Sequence, residues 1–227
     1  MNTELVIFDI AGTTVADSGN INDAFRQAFL ASGIDISASE VDTVMGYRKS
    51  EAISLMVQKH APELLLENDL VIQTIHELFN RNMVHFYKNN TDLKSLPYAE
   101  EVFNLFQGSG IRVALNTGFT RDITNAILVN LGWYANPLIN RVICSDEVPE
   151  GRPHPYMIRE IMYQLGVADA SKVVKVGDTQ VDIQEGRSAG CGLVVAVTTG
   201  AYSKEQLIQY QPDFIIDTLQ QLPALIL

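Results

Sequence analysis

From Tyr98 onward, short strand-like runs alternate with helical stretches, and few architectures accommodate that order. Residues 113–115, 142–144, 173–176, 193–197 and 214–216 are short and rich in Val, Ile and Leu, the pattern of buried strands. Between them, residues 100–107, 122–130, 154–165 and 182–189 carry helical periodicity. The alternation implies right-handed crossovers and a parallel sheet with helices on both faces, so the expected class is α/β, doubly wound. One more strand comes first, because Leu5, Val6, Ile7 and Phe8 are four apolar residues in a row.

Between that strand and residue 98 nothing reads as a strand. Phe25, Phe29 and Leu30 recur at helical spacing, as do Ile53, Leu55 and Met56, and then Ile72, Ile75, Leu78 and Phe79. Four helices are expected; Ser37 with Glu40 offers N-cap chemistry to one, and Gly33 ends the one before it. The chain thus divides into a core of residues 1–15 and 93–227 and an all-helical insertion of residues 16–92, with hinges near 16–20 and 89–94. The insertion lies over the end of the first strand.

With 227 residues the chain buries a full core, and its formal charge of −11 argues against nucleic acid or an anionic membrane as partner. An anionic substrate must then be held by a local site. Cys144 and Cys191 offer neither a disulfide framework nor metal-ligand spacing and read as reduced core residues. The first 15 residues carry Glu4 and Asp9 and no basic leader, and no run reaches the roughly 18 apolar residues of a membrane span, so the cytoplasm is the expected location.

Four polar clusters follow predicted strands, and in a parallel sheet such ends share one edge, where ligands bind. The first is Asp9 with Ala11, Gly12, Thr13 and Thr14, in which an acid is followed by small residues whose N–H groups suit an anion. Asn116, Thr117 and Gly118 follow, and Thr117 reads either as a phosphate donor or as a turn residue. Next, Pro153 and Pro155 restrict the loop that presents Arg152, a residue suited to balancing carboxylates or binding an oxyanion. Last come Asp178 and Asp182, acids that also start helices. Together with Asp9 they form an oxygen-rich set suited to a hard cation, most simply Mg²⁺.

In order and spacing these four clusters resemble those of the haloacid dehalogenase superfamily, in particular its phosphonatase-like branch. The resemblance implies a Rossmann-like core with a helical cap domain and hydrolysis of a small phosphorylated metabolite. It also implies Asp9 as a nucleophile that becomes an aspartyl-phosphate, and Mg²⁺ held by Asp9, the Ala11 carbonyl and Asp178, with Asp182 behind them. Thr117 would bind phosphoryl oxygens, Gly12, Thr13 and Gly118 would line the substrate, and Arg152 would replace the Lys of most members. Homodimers formed through cap helices occur among relatives. Ala11 stands where most phosphatases of the superfamily have an acid for the leaving group, and a methyl cannot protonate. Lys49, in the run from Met45 through Gly46, Tyr47 and Arg48, matches the branch's Schiff-base lysine. It reads either as that amine, cleaving a carbon–phosphorus bond, or as a cation that meets a distal substrate charge beside Arg48 and Tyr47. Ala52, Phe119 and the Gly19–Asn20 pair depart from the His, Tyr and Cys that accompany that lysine. A third reading is a non-catalytic phosphate binder that kept the fold.

Overall fold

The computed structural model describes residues 2–65 and 70–227. Strand β1 (Leu5–Asp9) is buried on both faces, with Val6 and Phe8 in one apolar cluster and Leu5 and Ile7 in another. That is why its apolar run is continuous rather than alternating. Strands β2 (Arg112–Thr117), β3 (Arg141–Cys144), β4 (Val173–Gly177), β5 (Leu193–Val197) and β6 (Phe214–Ile216) complete a six-stranded sheet in the order β3-β2-β1-β4-β5-β6. Every pairing is parallel. The strand order reverses at β1, which makes its carboxyl end the switch point where open α/β sheets place ligands.

Helices α5 (Ala99–Gly108) and α6 (Arg121–Asn130) cover one face, where Phe103 meets Phe8 edge-on at 5.2 Å. Helices α7 (Tyr156–Leu165) and α8 (Gln180–Ala189) cover the other through Met157, Ile158, Ile161 and Ile183. Helix α7 starts two residues later than the periodicity predicts. His154 precedes Pro155, whose ring disfavours the helical conformation of the residue before it, and Pro155 is the N-cap. Short helices α9 (Lys204–Ile208) and α10 (Pro223–Ile226) finish the chain.

Between β1 and α5 come α1 (Asn20–Leu30), α2 (Ala38–Asp42), α3 (Lys49–His60) and α4 (Leu70–Asn89), the four expected helices. Ser37 and Glu40 close a reciprocal capping box at α2. Along α4, Ile75, Phe79, Met83 and Tyr87 are buried every fourth residue. Phe79 packs edge-on to Phe25 of α1 at 5.7 Å. Leu30 and Leu55, grouped with the apolar stripes in the sequence, are instead exposed. Leu30 follows Phe29 and Leu55 lies two residues past Ile53, so at 3.6 residues per turn each rotates off the buried face. Among the described residues no helix is long and apolar enough to cross a membrane, and both cysteines are free and buried.

Candidate active site

Asp9 ends β1 level with Asn116 of β2, and Asp178 follows the last residue of β4, so the register alone brings three of the four clusters together. Arg152 joins them from the loop before α7. It is 0% exposed, and its Nη1 donates to Asp9 Oδ1 at 2.7 Å. Its remaining donors reach Glu185 Oε2 at 3.1 Å, Asn116 O at 2.8 Å and Asn116 Oδ1 at 2.7 Å, while Asp182 Oδ1 lies 3.0 Å from Nη1. A guanidinium has five N–H donors in a fixed fork, which suits it to so many acceptors.

Two residues of this network escaped the sequence reading. Lys175, in the middle of β4, is fully buried and places Nζ 2.7 Å from Asn116 Oδ1, 2.9 Å from Asp182 Oδ1 and 3.4 Å from Glu185 Oε2. Glu185 of α8 lies one turn past Asp182 and accepts from Asn116 Nδ2 at 3.0 Å. A lysine in an otherwise valine strand and an acid at i+3 from Asp182 were the available signals. Arg152 is thus joined at the site by a second buried cation, Lys175.

Burial, partly offset by Arg152, raises the Asp9 pKa to about 6. Asp178 is pushed well above the ordinary carboxylate range by burial and then by the charges of Asp9 and Asp182. Its partners are the Thr13 hydroxyl at 3.0 Å and the Ala201 N–H at 2.8 Å, both neutral. Asp182 goes the other way, since Arg152, Lys175 and a Thr179 hydrogen bond outweigh its burial. Four buried carboxylates, Asp9, Asp178, Asp182 and Glu185, thus face two cations beneath them, Arg152 and Lys175. One oxygen from each of Asp9, Asp178 and Asp182 lies within 4.8 Å of the others. With every carboxyl ionised the set carries a formal excess of two negative charges over Arg152 and Lys175, and an all-oxygen cluster of that kind fits a hard divalent cation.

The turn after β1 shapes the cluster rather than offering donors to a substrate. The Gly12 N–H goes to Val15 O at 2.8 Å, the Thr13 N–H points to Ile10 O at 3.4 Å, and the Thr13 hydroxyl goes to Asp178. The donors of Gly12 and Thr13, expected to line the substrate, thus have partners within the protein. Gly12 has φ +85°, and a Cβ there would meet Asp178 Oδ2 at 2.6 Å. Thr117 accepts from the Phe119 N–H at 3.2 Å, which leaves its hydroxyl hydrogen for a ligand.

A pocket of about 30 Å³ lies beside Asp9, lined by Ala11, Lys49, Thr117, Gly118, Phe119 and Asp178 among others. A larger groove of about 710 Å³ between α4 and α6 holds none of the carboxylates. Lys49, the first residue of α3, is 4% exposed, with Nζ 5.6 Å from the centre of the Phe119 ring. Burial lowers its pKa to about 8, against the charges of Asp9 and Asp17, which hold it up. Asp17 also escaped the sequence reading, which took its segment as a hinge. Tyr47 and Arg48 are not among the lining residues. Arg48 Nη1 donates to the carbonyls of Val148 at 3.3 Å and Pro149 at 3.0 Å.

A parallel sheet that gathers buried carboxylates and two cations at its switch point defines a class of α/β enzyme working at the carboxyl edge of the strands. Residues 3–190 match the family described as haloacid dehalogenase-like hydrolase. The phosphonoacetaldehyde hydrolase of Latilactobacillus sakei is 28% identical over an alignment covering 98% of this chain and 94% of the relative. The enzyme of the same name from Bacillus cereus is 31% identical, covering 93% and 81%. A crystal structure of a phosphonoacetaldehyde hydrolase-like protein from Oleispira antarctica shares the fold, with a TM-score of 0.87 at 24% identity over 100% of this chain and 92% of that one. The chain belongs to the haloacid dehalogenase-like hydrolases. The resemblance to the phosphonatase-like branch, drawn from four short motifs, extends over nearly its whole length.

Proposed function

We propose that the protein is a Mg²⁺-dependent hydrolase of a small phosphorylated metabolite, with Asp9 as the nucleophile. The observation that carries this reading is the buried excess of carboxylate at the end of β1, where Asp178 has only neutral partners. Asp9, the Ala11 carbonyl and Asp178 would hold the ion, with Asp182 behind them, tied to Arg152 and Lys175. When bound, the ion supplies positive charge against the phosphoryl oxygens. Arg152 fixes one oxygen of Asp9, which leaves the other to attack phosphorus in line as the bond from phosphorus to the leaving group breaks, forming an aspartyl-phosphate that water then hydrolyses to phosphate and free Asp9. Thr117 donates its hydroxyl to an equatorial oxygen as charge spreads there. Residues 16–92 act as the cap that chooses the substrate over a core of residues 1–15 and 93–227. The setting is the cytoplasm, and pairing of two copies through the insertion, which exposes Leu30 and Leu55, is checked by sedimentation.

A second reading narrows the leaving group to carbon. Lys49 shares the pocket with Asp9, its amine pKa is lowered to about 8, and Ala11 offers no acid for an alcohol leaving group. An amine of that kind adds to an aldehyde with loss of water, and the imine lets carbon leave phosphorus as an enamine. Relatives named phosphonoacetaldehyde hydrolase support it. Ala52 and Phe119 stand against it, since the proton-handling side chains expected beside such a lysine are missing. Incubation with Mg²⁺ and phosphonoacetaldehyde, with borohydride in parallel, decides between the two. Release of phosphate and acetaldehyde with a mass increment on Lys49 establishes carbon–phosphorus cleavage. Phosphate from small phosphomonoesters without labelling leaves Lys49 as a binding cation. No turnover of either kind removes both readings.

A further inference from the structure

The pocket beside Asp9, at about 30 Å³, has room for a few waters at most and none for a phosphorylated metabolite, so a substrate reaches it only when the loop before α3 lifts from the sheet edge. Residues 46–51 are held down by contacts with three separate loops of the sheet edge. Arg48 Nη1 donates to the carbonyls of Val148 and Pro149, and the Gly151 N–H donates to Glu51 Oε1 at 3.2 Å. The Tyr47 carbonyl lies against the Gly118 backbone, and Gly46 lies against the side chains of Thr179 and Val181, at separations that admit no Cβ. A Cβ on Gly151 would come within 2.5 Å of Arg48 Cβ.

We infer that Arg48 and Glu51 are the clasp that holds the insertion closed over Asp9, and that they grip the same loop that presents Arg152. The inference rests on the proposed function only for what the closed pocket encloses. Arg48 immediately precedes α3 and Lys49 is its first residue, so the two side chains leave the backbone in different directions. One reaches out to the carbonyls at 148 and 149, and the next reaches in to the pocket. Glu51, on the first turn of the same helix, takes the N–H of the residue before Arg152. The clasp therefore registers an amine on the insertion against a guanidinium that holds Asp9 from below. Arg48 and Glu51 are positioning residues, and opening releases Lys49 and the Arg152 loop together. The bonds are charge-assisted but sit at a half-exposed edge, which suits a contact that must break at every turnover.

The test reads the clasp without substrate. Full-length wild type, Arg48→Met and Glu51→Gln are treated with dilute formaldehyde and cyanoborohydride, and methylation of each lysine is followed by peptide mass spectrometry alongside thermal melts. Arg48→Met keeps the aliphatic stem and loses both carbonyl bonds, so Lys49 is expected to react about tenfold faster. Glu51→Gln raises the rate less, Arg48→Lys restores part of the protection, and Lys175 beneath Asp9 stays unreactive in all. An unchanged Lys49 rate in the folded variants overturns the inference. So does a parallel rise at Lys175, which would mean the whole sheet edge has loosened. Hydrolysis assays on wild type are scored separately, so a failure of the proposed function leaves the labelling result standing.

Discussion

At the scale of single residues, Asp9 and Lys175 are both buried at the same sheet edge, yet removing them has opposite expected effects. Asp9 contributes a charge the fold holds only reluctantly, as its raised pKa records. Asp9→Asn is expected to lower phosphate release by about a thousandfold or more while leaving the melting temperature unchanged or higher. Retention of more than about a tenth of wild-type turnover sinks the nucleophile assignment. Lys175 shares with Arg152 the neutralisation of Asp182 and Glu185. Lys175→Met strips Asp182 and Glu185 of a cation at 2.9 and 3.4 Å and is expected to cost about 3–5 kcal/mol in urea unfolding, the range for a buried pair broken on one side. A cost below about 1 kcal/mol would show that Arg152 alone carries the charge balance.

At the scale of elements, the segment after β5 matters more than its sequence suggests. Ala201 N–H donates to Asp178 Oδ2, the Thr199 hydroxyl holds the Gly12 carbonyl at 2.7 Å, and Gly200 packs against the Asp178 carboxylate so closely that no Cβ fits. Gly200→Ala is expected to displace Asp178 and weaken Mg²⁺ binding about 10–100-fold by calorimetry, the usual effect of disturbing groups that orient metal ligands. Nothing in the chain near Gly200 announces that role, since its partner lies 22 positions earlier and the contact exists only once β4 and β5 pair. The strands themselves were legible because each is a dense apolar run, and four helices before α5 were legible because apolar residues recur at helical spacing. The order of polar clusters was legible for the same reason, since a parallel sheet carries every strand end to one edge. The bond from Arg48 to Val148 was not legible, because the chemistry of an arginine is generic and this partner lies 100 residues away. Lys175 was hidden by the valines around it, which made the strand plain and the cation inside it easy to pass over.

For the whole molecule, the carboxylate cluster links stability to pH and to the ion. Asp9 and Asp178 have folded pKa values above their ordinary one, so the metal-free fold binds more protons than the unfolded chain, for Asp9 in the window from about 4 to about 6. Stability from these two groups is present at the acid end and is lost as pH rises through the folded pKa of each. Asp182, held low, acts oppositely and loses its contribution only as pH falls below the ordinary range. Added Mg²⁺ is therefore expected to raise the melting temperature more at pH 7 than at pH 5, because at the lower pH it must displace protons. Asp178→Asn should abolish most of that difference, and an equal Mg²⁺ effect at both pH values would count against the cluster as the binding site.

The helical segment is entered after Val15 and left at Ser95, and these two residues pair in a single antiparallel bridge, with Ala16 N–H on Lys94 O and Leu96 N–H on Thr14 O. Departure and return thus occupy one point on the molecule. Topologically, the roughly eighty residues between them are a side branch, and closing a loop across such a neck costs little more for a long branch than for a short one. Substitution, lengthening or replacement there leaves the register of six strands untouched. If the branch chooses the substrate, as proposed above, a lineage can remodel which molecule is admitted while inheriting Asp9 and its carboxylate cluster intact.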